Sequence, residues 1–272
     1  MDSVNKLLAY LARPDVSQAP VRLLARRARM EALRRWMPAT LAHPRTFRLS
    51  DGALMTAPLS DSVGGALFAF GGFEPDLTAR LRKLLQRNEL FIDVGAHIGT
   101  FSVLAGRIGA EVVAFEPTSA NRALLIDNIN INDLRHRVLV NPTALLDRDA
   151  ELTIGTPDDR NSGMARLGGG TEEVQCRRLD DVLPELTASP VRVMKIDVEG
   201  FEADVLRGGE RTICRDRPHV LFEVNDFAPV NLLREWGYRV TSLDGSHEVM
   251  QEGDLVGLDR PGVSLNLWAQ PN

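Results

Sequence analysis

Cysteine is scarce in this 272-residue chain: only Cys176 and Cys214 are present, and no CxxC spacing occurs. That excludes a disulfide framework and a thiolate zinc site, and it fits a reducing cytoplasm. Also missing is any run approaching the ~20 apolar residues needed to span a bilayer. The opening MDSVNKLLAYLARPD has no basic n-region leading into a signal-like apolar core, so secretion is not expected. Positive charge does not predominate either, since 32 Lys and Arg stand against 37 Asp and Glu, for a net charge of -5. Nucleic acid is disfavoured as a partner, because a phosphate backbone is gripped by a basic face that releases counterions. No internal repeat or low-complexity tract interrupts the chain.

What remains is the make-up of an ordinary globular protein, 44% hydrophobic and 25% charged. Such a length buries one large α/β domain with an N-terminal extension, the favoured reading, or two small domains. Residues 1–60 read as a helical or cap segment and residues 61–272 as the main domain. Within the extension, residues 20–48 carry eight arginines against one acid. Leu23, Leu24, Arg27, Met30 and Leu33 have helical spacing there. A solvated helix whose apolar stripe packs on the core is the plainer reading; peripheral contact with a membrane surface or an acidic partner stays open. Further on, Thr46–Leu49, the turn at Asp51-Gly52 and a second run through Met55 read as a hairpin. PDLTARLRKLLQRN at 75–88 begins with proline and spaces Leu77, Leu81, Leu84 and Leu85 as a helix does.

From Leu90 the chain alternates. ELFIDVG, EVVAFEP and RVLVNPTAL read as strands separated by the helices TFSVLAGRIG and SANRALLIDNININD. VRVMKIDVEG, HVLFEVN, YRVTSL and SLNLWAQ add four more strands, with EADVLRGGERTICRD and APVNLLREWG as helices. This rhythm predicts parallel βαβ units, and the unbroken apolar strands fit a sheet covered by helices on both faces. The expected fold is a Rossmann-like α/β domain with a seven-stranded, mostly parallel sheet. ELTIG and EVQCRRL read as extra extended segments. The polar, glycine-rich stretch between them, Asp158 to Gly170 with Asn161, Ser162 and Gly163, is a candidate cover for a site. In such sheets ligands bind beyond the carboxyl ends of the strands.

FIDVGAHIGTFS is the most informative segment. Asp93 ends a strand, Gly95 and Gly99 bracket a tight turn, and Ser102 falls in the next helix. Gly95 lets backbone approach a ligand, and Gly99 permits close helix packing. A dinucleotide loop would need G-x-G-x-x-G, and a P-loop would need G-x-x-x-x-G-K-[ST]; neither occurs. Asp93 would repel a pyrophosphate but would favour the ammonium of S-adenosylmethionine. Glu116, 23 positions after Asp93, ends the second strand where an acid can accept both ribose hydroxyls.

FIDVGAHIG, AFEPTSANRALLIDNININ, NPTALLD and above all MKIDVEGFEADVLRGG resemble the FkbM family of methyltransferases, from about Gly72, with its GGFEP, to the closing NLWAQP. The resemblance implies a sheet whose last strand is antiparallel. It also implies O-methyl transfer from S-adenosylmethionine to a small molecule, a sugar or glycolipid, or a polyketide. Its implied cofactor contacts are Asp93, Gly95, Gly99 and Glu116; Glu74, Ala96, His97, Pro117, Thr143, Ala144 and Asp197 complete the expected cofactor site. The family most often has Asn where this chain has His97.

Transfer to oxygen needs alignment and a base. KIDVEGFE places Asp197, Glu199 and Glu202 at the end of one strand, where burial and mutual repulsion raise a carboxyl pKa while a sulfonium lowers it. Asp197 ranks first as the catalytic base, Glu199 next, and His97 is a third candidate; Glu202 reads as a helix-cap acid. Lys195, in an apolar strand, reads as facing away from the site. Glu223 and Asp226 with Asp197 and Glu199 leave Mg²⁺ open without predicting it. The rival readings are a non-catalytic binding or scaffold module of the same fold and, less favoured, a nicotinamide-dependent oxidoreductase. The acceptor is set by cap and loop, and a homodimer through the N-terminal helices stays open.

Overall fold

A computed structural model describes residues 41–155, 166–168, 170–256, 258 and 265–272. The expected arginine-rich helix at 20–40 and the loop residues Asn161, Ser162 and Gly163 lie outside the described residues.

Strands β1 (Pro44–Arg48) and β2 (Leu54–Pro58) form the expected hairpin, followed by helices α1 (Ser62–Phe70) and α2 (Pro75–Leu84). Then come β3 (Leu90–Val94), α3 (Thr100–Ile108), β4 (Glu111–Phe115), α4 (Ser119–Ile131) and β5 (Val138–Asn141). The chain next leaves the main sheet for β6 (Ala144–Leu145), β7 (Ala150–Gly155), β8 (Arg166–Leu167) and β9 (Glu172–Arg177). It returns through α5 (Leu179–Leu186), β10 (Val191–Ile196), α6 (Glu202–Gly208) and α7 (Glu210–Asp216). It ends with β11 (His219–Glu223), α8 (Ala228–Glu235), β12 (Tyr238–Ser242) and β13 (Asn266–Pro271).

Seven strands make the main sheet in the order β12-β13-β11-β10-β3-β4-β5. The five from β11 to β5 are parallel, and β13 runs antiparallel to both its neighbours. Strand order reverses between β3 and β10, so the crevice for a ligand opens at their carboxyl ends. Alternation along β3 feeds two cores: Phe91 packs with Leu77, Leu81, Val103 and Leu125, while Ile92 and Val94 pack with Val205, Leu206 and Ile213. Each face of the sheet is thereby sealed by helices, as a parallel sheet requires.

The hairpin shares the first of these cores through Met55 and Ala57. It is fastened by two α4 asparagines: Asn128 bonds the N–H and carbonyl of Thr56, and Asn132 bonds those of Leu54.

Two expected elements are divided. RVLVNPTAL is two strands, because Pro142 has no N–H for a ladder and the Asn141 side chain takes the Thr143 N–H at 2.9 Å. The second piece joins the separate sheet β6-β9-β7-β8. EADVLRGGERTICRD is two helices, broken at Gly209. A Cβ on Gly208 would stand 1.9 Å from the Leu146 carbonyl oxygen, so the small sheet packs directly on this joint. Helices α1 and α5 were not foreseen; buried Asp61 caps α1 by accepting the Val63 and Gly64 N–H groups.

Candidate active site

The turn after β3 is tied to β4, where the Phe115 carbonyl accepts the N–H groups of Gly95 and Ala96 at 3.0 Å each. Gly95 has φ +75°, and a Cβ there would lie 1.9 Å from the Asp197 carbonyl oxygen. Its requirement is thus set by the neighbouring strand end as well as by a ligand. Gly99, at φ +88°, would put a Cβ 2.4 Å from Leu125 Cδ1, and it serves the packing of α3 on α4.

Around this turn stands a buried charge cluster. Lys195 Nζ lies 3.0 Å from Asp197 Oδ2, 3.8 Å from Asp93 Oδ1 and 5.3 Å from the Phe101 ring centroid. Burial favours the neutral amine, but the charges of Asp197, Asp93 and Glu74 outweigh it and hold the ammonium. Lys195 therefore belongs to the site, contrary to the sequence reading. Residues i and i+2 of a strand share a face, so Lys195 points with Asp197, and β10 pairs it with Asp93 in register.

Asp93 is fully buried and accepts the Ser102 hydroxyl at 2.6 Å. Burial pushes its carboxyl up against the pull of Lys195 and Ser102. Burial pushes Asp197 the same way, but Lys195, with a hydrogen bond from Glu223, holds it below the ordinary carboxylate range. Glu74 is pushed up to about 7, by burial and then by Asp197, against Lys195 and Asn266.

Glu116 closes β4 from a buried position and accepts the His97 N–H on Oε2 at 2.8 Å and the Thr118 N–H on Oε1 at 2.9 Å. Burial still raises its pKa above the usual value. It also lowers that of His97, which favours the neutral imidazole. Glu202 is structural: its Oε1 accepts the N–H groups of Val198 and Gly200 and the Asn225 amide, which fixes the loop after β10. Asp226 accepts the Ala228 N–H at 2.8 Å at the start of α8. Among the described residues no three His, Cys, Asp or Glu side chains form a group able to hold a metal ion. No helix among them is long and apolar enough to cross a membrane.

A cavity opens at the carboxyl ends of β3, β4, β10 and β11. Glu74, Gly95, Ala96, His97, Glu116 and Pro117 line it. Thr143, Ala144, Asp197 and Glu199 line it as well. Of the expected catalytic and cofactor residues, all but Asp93 and Gly99 line the cavity; Glu202 and Asp226, also named from the sequence, do not. Sequence reasoning missed Lys195, Phe101, Thr100, Thr118 and Asn121 among its walls. Glu74, His97 and Glu199 are three non-glycine residues with positive φ, of 40°, 52° and 52°.

The model of the Methyltransferase FkbM domain matches residues 93–240, more than half of the chain. The chain belongs to the FkbM methyltransferase family. It is 30% identical over 214 residues to Methyltransferase 1 of Beauveria bassiana, covering 68% of this chain and 78% of that protein. It is 28% identical over 200 residues to the 31-O-demethyl-FK506 methyltransferase FkbM of Streptomyces tacrolimicus, covering 58% and 75%. With Methyltransferase sdnD of Sordaria araneosa it shares 27% identity over 159 residues, 46% of this chain and 61% of that relative's length. The motif around Lys195 to Glu202 falls inside the matched region.

Proposed function

We propose that this FkbM-family chain transfers a methyl group from S-adenosylmethionine to a hydroxyl of a small molecule, a sugar or glycolipid, or a polyketide-type product. One observation carries the reading. Glu74 Oε2 and Thr100 Oγ1 are buried without a hydrogen-bond partner, and both residues line the cavity. Buried polar atoms need partners, and a ligand rich in hydroxyl and ammonium donors supplies them. Glu116, held by two backbone N–H groups, would take the ribose hydroxyls, and Thr143 and Ala144 would help to hold the cofactor. The ionised Asp197, with Glu199 and neutral His97, faces the cationic end. When bound, the cofactor supplies an electrophilic methyl group.

The hydroxyl acceptor is supported by the name of the Streptomyces relative, whose substrate is an O-demethyl compound. A cytoplasmic location and a small-molecule or glycan acceptor belong to the same proposal.

Calorimetry tests it first, with S-adenosylmethionine against NAD as control and with Glu116→Ala beside the wild type. Expected is micromolar binding of the first ligand alone, weakened at least about 10-fold in the variant, as loss of a bonded charged acceptor implies. A panel of sugar, glycolipid and polyketide alcohols with labelled methyl donor then reads transfer. NAD binding, or no binding of either ligand, sinks the proposal.

A further inference from the structure

We propose that Glu74 is the catalytic residue that accepts the proton of the incoming hydroxyl, on Oε2, as the methyl group moves. This rests on the cavity being a methyl-transfer site. Six carboxylates compete for the role, and five are committed: Glu223 is hydrogen-bonded to Asp197, and Glu199 is engaged in an interaction of its own. Asp93 lies behind the cavity wall, bonded to Ser102. Glu116 is clasped by the His97 and Thr118 N–H groups. Asp197 is locked to the Lys195 ammonium at 3.0 Å, which removes its basicity. Glu74 alone of the six both belongs to the cavity wall and has a buried carboxylate oxygen without a hydrogen-bond partner. Its other oxygen is anchored by the Asn266 amide of β13 at 3.3 Å, which aims the carboxylate.

The backbone gives a second, independent observation. Glu74 has φ 40° and ψ 69°, left-handed, directly before Pro75. Side chains rarely take that conformation, and a residue before proline is pushed further toward extended backbone. At the N-cap position of α2 it makes no capping bond in return. Strain held at a cavity wall without a local structural gain marks a positioned functional group.

The charges acting on Glu74 come from Asp197 and Lys195 on β10, and its titration near neutrality suits a general base. An arriving cationic ligand lowers that pKa, so loading the site readies the base. In the step itself the acceptor oxygen forms its bond to the methyl carbon as the carbon–sulfur bond breaks. That electron pair stays on the now neutral sulfur. The hydroxyl proton passes to Glu74 Oε2 and leaves to water after product release.

The test uses the full chain and its Glu74→Gln variant, with calorimetry at about pH 7 in buffers of different ionisation heat. S-adenosylmethionine and S-adenosylhomocysteine share an ammonium and differ in the charge on sulfur. Expected is greater proton release by the wild type with the sulfonium ligand than with the neutral thioether. The variant should lose that difference while keeping the wild-type circular dichroism spectrum and a cooperative melt, which report its fold. With an acceptor from the alcohol panel, Glu74→Gln should slow turnover by about 100-fold or more at unchanged KM, with partial rescue in Glu74→Asp. A variant that keeps the difference in proton release, or keeps wild-type turnover, overturns the assignment. Failure of the wild type to bind S-adenosylmethionine is a separate result, and it removes the cavity reading itself.

Discussion

Lys195 Nζ is 3.0 Å from Asp197 Oδ2, and the lysine side chain is only 4% exposed. The same ammonium faces Asp93 at 3.8 Å. One buried cation therefore neutralises acids from two adjacent strands, at the point where strand order reverses. Replacing it by an apolar group of similar length leaves two carboxylates facing each other with their charge uncompensated.

Lys195→Met is expected to destabilise the protein by about 3 kcal/mol, as removal of one partner from a buried ion pair does. The double variant Lys195→Met/Asp93→Asn should recover part of that loss, because one of the stranded charges is gone. Urea unfolding of the two single variants and the double measures the coupling. Strict additivity would mean that the two side chains do not share a charge balance.

Glycines of the site separate two kinds of requirement. Gly95→Ala adds a Cβ 1.9 Å from the Asp197 carbonyl oxygen at a positive φ, between central strands that cannot move apart. The expected cost is about 4 kcal/mol, from overpacking plus left-handed strain. Gly200→Ala, at φ +101°, meets nothing within 4 Å and should cost only about 1 kcal/mol. Melting temperatures of the two variants check the order. Equal losses would show that backbone conformation, not the strand contact, dictates both glycines.

The strands were legible because their signal is local. Unbroken apolar runs such as FIDV and VRVMKI reveal a sheet covered on both faces, and the acids closing them stand out against that background. Lys195 was misread because a charge in such a run looks misplaced; the two-residue period that ties it to Asp197 was available and outweighed. Glu74 is different. Its left-handed backbone opposes every local preference, and its anchor Asn266 lies 192 positions away. The SVGGALFAF helix was hidden by its glycines; Gly64 is imposed by the Pro58 carbonyl oxygen, 2.2 Å from where its Cβ would be. That is a tertiary constraint with no trace in the nearby sequence.

The hairpin should depend on Asn128. This buried side chain accepts the Thr56 N–H at 2.6 Å and donates to the carbonyls of Thr56 and Ile98 at 3.1 and 2.8 Å. Asn128→Leu strands all three groups and is expected to cost about 3 kcal/mol. Hydrogen exchange should show protection lost first at Thr56 and its neighbours. Retained protection there would mean that Met55 and Ala57 hold the hairpin by apolar packing alone.

Glu74 and Asp197 should give opposite pH signatures. Burial raises Glu74 from 4.5 to about 7, so the folded protein holds its proton where the unfolded chain releases it. That contribution is complete below the unfolded value and is lost as pH rises through about 7. The stability of the wild type relative to Glu74→Gln should therefore fall by about 2 kcal/mol between about pH 5 and about pH 8, after allowance for partial exposure. Asp197 is shifted down, chiefly by the Lys195 charge acting against burial. Its contribution is present above the unfolded carboxylate range and is lost on acidification, so the gap between wild type and Asp197→Asn should narrow only in acid. Urea midpoints for both pairs across this range measure the two slopes. A flat Glu74 difference would show that its carboxylate ionises as it does in water, and would remove the physical basis for its service as a base near neutrality.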